Sequence, residues 1–162
     1  MEMWDLYTFD RKKTGLVLER GQPVPQGLYH LSVSVWIVDA QGRVLLSQRH
    51  PAKTYPLCWE CTGGCAQAGE TSLDAAVREV KEELGLTLDP RKGRCIRQKR
   101  REQTRDFYDV WLFHCSVPVQ SLTLQAAEVI DVQWVDLPGL RALQREGRLH
   151  PLLDYLDEIF PL

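Results

Sequence analysis

Residues 64–86 read GCAQAGETSLDAAVREVKEELGL, the most informative stretch of the sequence. Its apolar residues recur three and four positions apart, at Leu73, Ala76, Val77, Val80 and Leu84. This spacing predicts an amphipathic helix over 71–84, packed on a core. Thr71 and Asp74 have the spacing of a capping box, and Gly85 suits the left-handed residue that ends many helices. The sequence therefore predicts one short helix with defined ends.

The same helix carries Glu79, Glu82 and Glu83, whose carboxylates are neighbours at helical spacing. Like charges at this spacing cost about 0.2–0.5 kcal/mol per pair, and acids in the last turn oppose the helix dipole. A solvated acidic face is one explanation. A hard divalent cation, held by these carboxylates and a carbonyl such as that of Gly64, would remove the repulsion and explains the cluster better.

The full spacing is Gly64, five residues, Glu70, seven residues, Arg78-Glu79, an aliphatic residue, any residue, Glu82-Glu83, any residue, Gly85 and an aliphatic residue. It resembles the Nudix box at every specified position. The resemblance implies an α/β (α+β) fold, the Nudix-type α/β/α sandwich with a mixed β-sheet between helices. It also implies an Mg²⁺- or Mn²⁺-dependent hydrolase, in which water attacks a phosphorus of a nucleoside diphosphate derivative or a similar small phosphorylated metabolite.

Carried over by position, the resemblance implies metal ligation by Gly64, Glu79, Glu82 and Glu83, with Glu70 as an additional ligand or the support of one. It implies catalytic roles for Glu79 and for Arg78, which would orient a carboxylate. Glu128 resembles a loop glutamate that many members use as base or extra ligand; a solvated loop acid is the alternative.

Two residues outside the box are candidate substrate contacts. Arg49 could meet a substrate phosphate or form a surface ion pair. Trp59 lies beside the glycine loop, where its ring could contact the substrate or fill the core. Both are expectations that depend on the fold.

The approach to the box resembles the isopentenyl-diphosphate isomerase branch of the family, in Tyr29-His30-Leu31 and in RHPAKTYPLCW at residues 49–59. That enzyme uses a metal ion, a cysteine and a glutamate to move a double bond. At its cysteine position this chain has Gly63, and Cys65 replaces a histidine that should follow. His30 matches one metal-binding histidine but could be structural. We therefore expect hydrolysis; an isomerase-like enzyme and a non-catalytic nucleotide-binding module are the alternatives.

The chain has 162 residues, 44% hydrophobic and 26% charged, and a formal charge of −2. This composition predicts one domain and gives no overall attraction to membranes or nucleic acid. The start of the chain lacks the apolar run of a signal peptide, so we expect a cytoplasmic protein. Five cysteines, without a second closely spaced pair beside Cys58, Cys61 and Cys65, indicate free thiols rather than disulfides or zinc. A homodimer is left open.

We expect a single Nudix hydrolase domain over 1–162, with a hairpin and connection over 1–28. Further strands are predicted at 31–38, 43–49, 56–62, 106–117 and 129–135, and helices at 137–147 and 152–160. The segment 91–105 contains eight basic residues. These could form a solvated strand face, or a patch for substrate phosphates or an acidic partner.

Overall fold

The computed structural model describes residues 1–162 and contains nine strands and three α-helices. The strands are β1 Met3–Tyr7, β2 Lys13–Glu19, β3 His30–Val38, β4 Val44–Arg49, β5 Trp59–Glu60, β6 Thr62–Cys65, β7 Arg94–Arg101, β8 Asp106–His114 and β9 Val129–Val135. The helices are α1 Ser72–Leu84, α2 Leu137–Arg145 and α3 Leu156–Ile159. Short 3₁₀ turns cover Pro90–Lys92 and Val119–Ser121. None of the helices is both long and apolar enough to cross a membrane.

Seven of the strands form one sheet in the order β5-β4-β3-β8-β7, with β6 also bonded to β3 and β9 to β4. β3 and β8 are parallel, whereas the other pairs are antiparallel. The predicted mixed sheet is therefore confirmed. The register places Gly64 opposite Val33 and His30 opposite Asp106, which brings the start of the box to one end of the central strands.

β3 is buried along its whole length because cores form on both faces of the sheet. Val33 and Val35 belong to the core that also contains Val80 of α1. Trp36 belongs to the core on the other face, which contains Leu140 of α2 and Leu156 of α3. The alternation of side chains along a strand produces this division. The α/β/α sandwich is thus confirmed.

α1 begins and ends where the sequence predicts. The Thr71 side chain accepts a hydrogen bond from the backbone N–H of Asp74, and the Asp74 side chain accepts one from the backbone N–H of Thr71. Gly85 ends the helix at φ 68°, a left-handed conformation that favours glycine. Of the predicted apolar stripe, Leu73 and Val77 are only half-buried.

Several predicted boundaries are wrong. The strand predicted over 56–62 begins at Trp59 and is interrupted at Cys61, because the preceding loop turns through positive φ angles of 52° at Tyr55 and 63° at Leu57. The helix predicted over 152–160 is confined to α3, because the backbone N–H of Leu152 donates to the His150 ring rather than entering a helix. α2 and β8 each end before their predicted limits.

The N-terminal hairpin of β1 and β2, predicted from the sequence, packs on the loop of the box. The backbone N–H of Ala68 donates to the Met3 carbonyl at 2.7 Å, and that of Gly69 donates to Oδ2 of Asp5 at 2.8 Å. These bonds link the first residues of the chain to the segment that leads into α1. The hairpin can therefore contribute side chains to the site beside that segment.

Candidate active site

Arg78 joins the acids of the box. Its guanidinium donates to both carboxylate oxygens of Glu70, at 2.6 and 3.0 Å, and to Oε1 of Glu79 at 3.0 Å. It also donates to Oε2 of Glu82 at 3.1 Å and to the Cys65 carbonyl at 3.0 Å. One planar cation thus fixes the loop before α1 against the helix and orients three carboxylates, as its fork of donors allows.

Gly64 approaches Glu79 so closely that no side chain fits between them. A Cβ atom on Gly64 would lie 2.1 Å from Oε1 of Glu79 and 2.3 Å from its Cδ. β6 carries Gly64, and its pairing with β3 brings that strand under α1. The glycine therefore allows the carboxylate to lie against the strand backbone.

Glu83 is buried without a partner. Its side chain forms no hydrogen bond or ion pair, and the residue is only 6% exposed. Burial, and next the charge of Glu79, raises the pKa of Glu83 well above its ordinary value. Burial also raises the pKa of Glu79 to about 7, although Arg78 opposes this shift. An unpaired buried carboxylate is costly, and a nearby cation would stabilise it.

The donor set fits a hard divalent cation, because it consists of carboxylate oxygens in one cleft. In the structure no three acidic, histidine or cysteine side chains converge as a ready metal site. Arg78 instead contacts Glu79 and Glu82. A cation held by these two glutamates would compete with Arg78 for their oxygens. Glu70 accepts from Nε and Nη2 of Arg78, whereas Glu79 and Glu82 accept from Nη1, so Glu70 holds the arginine in place.

We call the space beside these groups the acidic cleft. It has a volume of about 240 Å³ and is lined by Gly64, Arg78, Glu79, Glu82, Glu83 and Glu128, among others. Glu128 thus reaches the cleft although it is 45 positions from Glu83 and 49 positions from Glu79 in the sequence. Its carboxylate pairs with the ammonium group of Lys53, which also lines the cleft. The structure therefore places Glu128 with the box and not on an isolated loop.

The two candidate substrate contacts lie in different places. Arg49 lines a second cavity beside the acidic cleft and donates to Oε1 of Glu60 at 2.8 Å. Trp59 is 5% exposed and packs in the core with Leu149 and Leu153. Trp59 lines neither cavity, so its predicted contact with substrate finds no support in this geometry and stays a prediction.

Five residues of the cleft were not predicted from the sequence: Glu2, Arg20, Lys53, Gln67 and Gln125. Glu2 and Arg20 form an ion pair at 2.7 Å at the open ends of the hairpin strands. They reach the cleft through the docking of the hairpin on the box loop, which involves residues far apart in sequence. Gln125 precedes Glu128 by three positions, and its proximity to Glu128 was the only available signal.

Half of the basic residues in the segment 91–105 pair with acids, namely Arg91, Arg97, Arg100 and Arg101. Arg97 pairs with Glu158 at 2.6 Å, and Arg101 pairs with Asp106 at 2.5 Å. Arg101 also lines the second cavity. Three of the five basic residues of β7 are thus paired with acids, and Arg101 alone among the five lines that cavity.

The position of the isomerase cysteine cannot hold a side chain in this backbone. A Cβ atom on Gly63 would lie 2.5 Å from the Val33 carbonyl oxygen. Cys61 is buried, and burial raises the pKa of its thiol to about 12. Burial likewise raises the pKa of the Cys65 thiol to about 12. His30 stacks on Trp4, with ring centroids 4.3 Å apart, and its Nδ1 has no hydrogen-bond partner.

Comparison with known proteins identifies the family. The model of the NUDIX domain matches residues 28–156. An uncharacterized Nudix hydrolase of Listeria innocua is 38% identical over 164 residues, covering 100% of this chain and 95% of that protein. The chain belongs to the Nudix hydrolase family. Members of this family generally use divalent metals and act on small diphosphates.

Two further similarities extend this result. An isopentenyl-diphosphate Delta-isomerase of Cutibacterium acnes is 34% identical over 128 residues, covering 72% of this Nudix hydrolase and 64% of the isomerase. The crystal structure of the DR0079 protein from Deinococcus radiodurans has a TM-score of 0.80 at 22% identity, covering 98% and 99% of the two chains. The first supports the resemblance to the isomerase branch, and the second shows the same fold. The N-terminal hairpin lies before the matched domain.

Proposed function

We propose that this Nudix hydrolase is an Mg²⁺- or Mn²⁺-dependent enzyme that cleaves a diphosphate linkage in a nucleoside diphosphate derivative or similar small metabolite. The observation that carries the proposal is the acidic cleft, in which the buried Glu83 has no partner and Glu79 lies against Gly64. These groups are costly as structure alone. They are explained if the cleft holds a divalent cation and the phosphates bound to it.

The proposed ligands are the carboxylates of Glu79, Glu82 and Glu83 and the carbonyl of Gly64. A bound cation neutralises phosphate charge and makes a coordinated water more acidic. Arg78 orients Glu79 and Glu82 through its hydrogen bonds and is itself held by Glu70. Glu70 therefore acts mainly by positioning Arg78.

Two glutamates are candidate bases for the attacking water. Glu128 lines the cleft; Lys53 pairs with its Oε2, and its Oε1 has no hydrogen-bond partner and can accept a proton. Glu79 has a pKa near 7 in the metal-free protein because of its burial, which is suited to proton transfer at neutral pH. Ligation of a cation would make Glu79 a weaker base. We assign the base to Glu128 on this ground.

An isoprenoid diphosphate isomerase is the second candidate, supported by the similarity to the Cutibacterium acnes enzyme. This chain lacks a thiol at the position of the isomerase cysteine, because the backbone at Gly63 leaves no room for a side chain. The deeply buried Cys61 has a raised pKa and is a poor acid or base at neutral pH. A nucleotide-binding module without turnover is disfavoured by the complete box.

The test is to incubate the purified protein with Mg²⁺ or Mn²⁺ and a panel of nucleoside triphosphates, nucleotide sugars, dinucleotides, coenzyme A and isoprenoid diphosphates. Products are identified by mass. We expect hydrolysis of at least one diphosphate linkage, which stops when the metal is removed by a chelator. Isomerised isopentenyl diphosphate without hydrolysis would favour the second candidate, and binding without products would favour the third.

A further inference from the structure

The second cavity, which we call the polar cavity, has a volume of about 390 Å³ and shares Gly63, Gly64 and Cys65 with the acidic cleft. Its walls include Arg49, Glu60, Arg101, Asp106 and His150. Ligand pockets of this size hold groups as large as a sugar or a nucleoside. The two spaces share β6 as a common wall and therefore lie beside each other. Recognition of substrate in the polar cavity requires that a diphosphate in the acidic cleft places its attached group there.

The charges on the walls of the polar cavity are paired with one another. Arg101 donates to Oδ1 of Asp106 at 2.9 Å, and Arg49 donates to Oε1 of Glu60 at 2.8 Å. Burial lowers the pKa of His150 to about 4, so its ring is neutral at pH 7. No unpaired cation is left for another phosphate. The walls also contain apolar residues such as Val33, Leu152 and Leu153. Polar recognition in the cavity therefore depends on those groups that are not already paired.

Glu60 and His150 face each other across a gap. The Nδ1 atom of His150 accepts a hydrogen bond from the backbone N–H of Leu152 at 3.1 Å, so the neutral ring carries its proton on Nε2. This Nε2 lies 4.0 Å from Oε2 of Glu60, which is beyond hydrogen-bond distance. A donor and an acceptor thus oppose each other without being bonded.

A hydroxyl group matches this arrangement, because it can accept from Nε2 of His150 and donate to Oε2 of Glu60. We propose that Glu60 and His150 determine substrate specificity by binding a hydroxyl group of an uncharged, sugar-like unit attached to the diphosphate. This inference rests on the proposed function of the acidic cleft. The hydroxyl could come from a sugar beyond the diphosphate or from the ribose of the nucleoside.

The test compares His150→Asn with two related variants. Asparagine can still accept from Leu152 through its side-chain oxygen but lacks the Nε2 donor, whereas His150→Gln restores a donor at similar reach. His50→Asn is the matched control, because Nδ1 of His50 also accepts from the backbone N–H two residues later, at 3.1 Å, outside both cavities. Thermal unfolding of each variant shows whether the fold is kept.

The substrates are ADP-glucose, ATP, 2′,3′-dideoxy-ATP and isopentenyl diphosphate, each with Mg²⁺. We expect His150→Asn to lower kcat/KM for ADP-glucose about 10- to 100-fold, mainly through KM, and to leave isopentenyl diphosphate unaffected. His150→Gln should recover most of the loss, and His50→Asn should match wild type. An effect on ATP but not on dideoxy-ATP would identify the nucleoside ribose as the source; an effect confined to ADP-glucose would identify the second sugar.

Where a compound is not hydrolysed, its dissociation constant measured by calorimetry with Mg²⁺ replaces kcat/KM. Equal losses on all four compounds, or no loss on any hydroxyl-bearing one, would overturn the inference. Glu60→Gln, which replaces the acceptor by a second donor, should show the same selectivity if His150→Asn does not fold. If no compound is hydrolysed but His150→Asn still binds the hydroxyl-bearing compounds selectively more weakly, only the proposed hydrolysis is contradicted.

Discussion

Gly64 and Glu79 are so close that a Cβ atom on the glycine would lie 2.1 Å from a carboxylate oxygen of the glutamate. The adjacent Gly63 is equally crowded, but by the Val33 carbonyl oxygen at 2.5 Å. A flexible side chain can move away, whereas a sheet backbone cannot. A side chain at position 64 would therefore displace the Glu79 carboxylate, whereas one at position 63 would clash with the sheet backbone.

We expect Gly64→Ala to lower kcat/KM at least 100-fold and to change the free energy of unfolding by less than about 1 kcal/mol, because the displaced group is a side chain needed for metal binding. Gly63→Ala is the comparison and should destabilise the fold by about 1–3 kcal/mol through overpacking. Denaturant unfolding and hydrolysis assays measure both. A fully active Gly64→Ala variant would show that the position of Glu79 is not critical.

The stability of the metal-free protein should depend on pH through Glu79. Its pKa rises from an ordinary 4.5 to about 7 on folding, so folding takes up a proton between these values and stability falls as pH rises through them. The lowered pKa values of His30 and His150 act in the opposite direction below pH 6.5. The difference between wild type and Glu79→Gln reports on Glu79 together with Glu83, because the charge of Glu79 contributes to the raised pKa of Glu83.

We predict that Glu79→Gln gains stability relative to wild type as pH rises from 5 to 8 without metal, by on the order of 3 kcal/mol. Thermal unfolding in a chelator measures the difference. Mg²⁺ at a fixed concentration should reduce or reverse the difference, because wild type binds the metal more tightly and is stabilised more than the variant. A difference that does not vary with pH would contradict the assignment of a raised pKa to Glu79.

The general base is tested by Glu128→Gln. We expect kcat to fall about 10²–10⁴-fold with little change in Mg²⁺ affinity, because a base is lost and a ligand is not. Glu79→Gln should weaken Mg²⁺ binding as well as rate. Metal titrations of both variants distinguish the two roles. If Glu128→Gln turns over normally, the general base must be Glu79 or another glutamate of the box.

The parts of the fold that depend on neighbouring residues could be predicted from the sequence. The ends of α1 follow from the capping box of Thr71 and Asp74 and from Gly85, which act within a few positions. The helix predicted over 152–160 was wrong because leucine spacing alone did not reveal that Leu152 bonds to His150. Periodicity cannot distinguish a helix from a turn stabilised by a side chain.

The composition of the candidate site was predictable only in part. Gly64, Arg78 and the box glutamates have a fixed spacing, so their grouping on α1 could be expected. The burial of Glu83 and the opposition of Glu60 and His150 arise from contacts between distant segments. The inward turn of Trp59 likewise depends on the pairing of β5 with β4. No local pattern carries this information.

The most direct test of metal-dependent hydrolysis is the rate of product release as a function of Mg²⁺ concentration, for wild type, Glu82→Gln and Glu83→Gln, on whichever diphosphate the panel identifies. Removing negative charge from the end of α1 should leave the fold unchanged or slightly more stable. The account predicts that wild type is activated by Mg²⁺, whereas both folded variants lose nearly all activity even at saturating metal. Near-normal rates in both variants would contradict it.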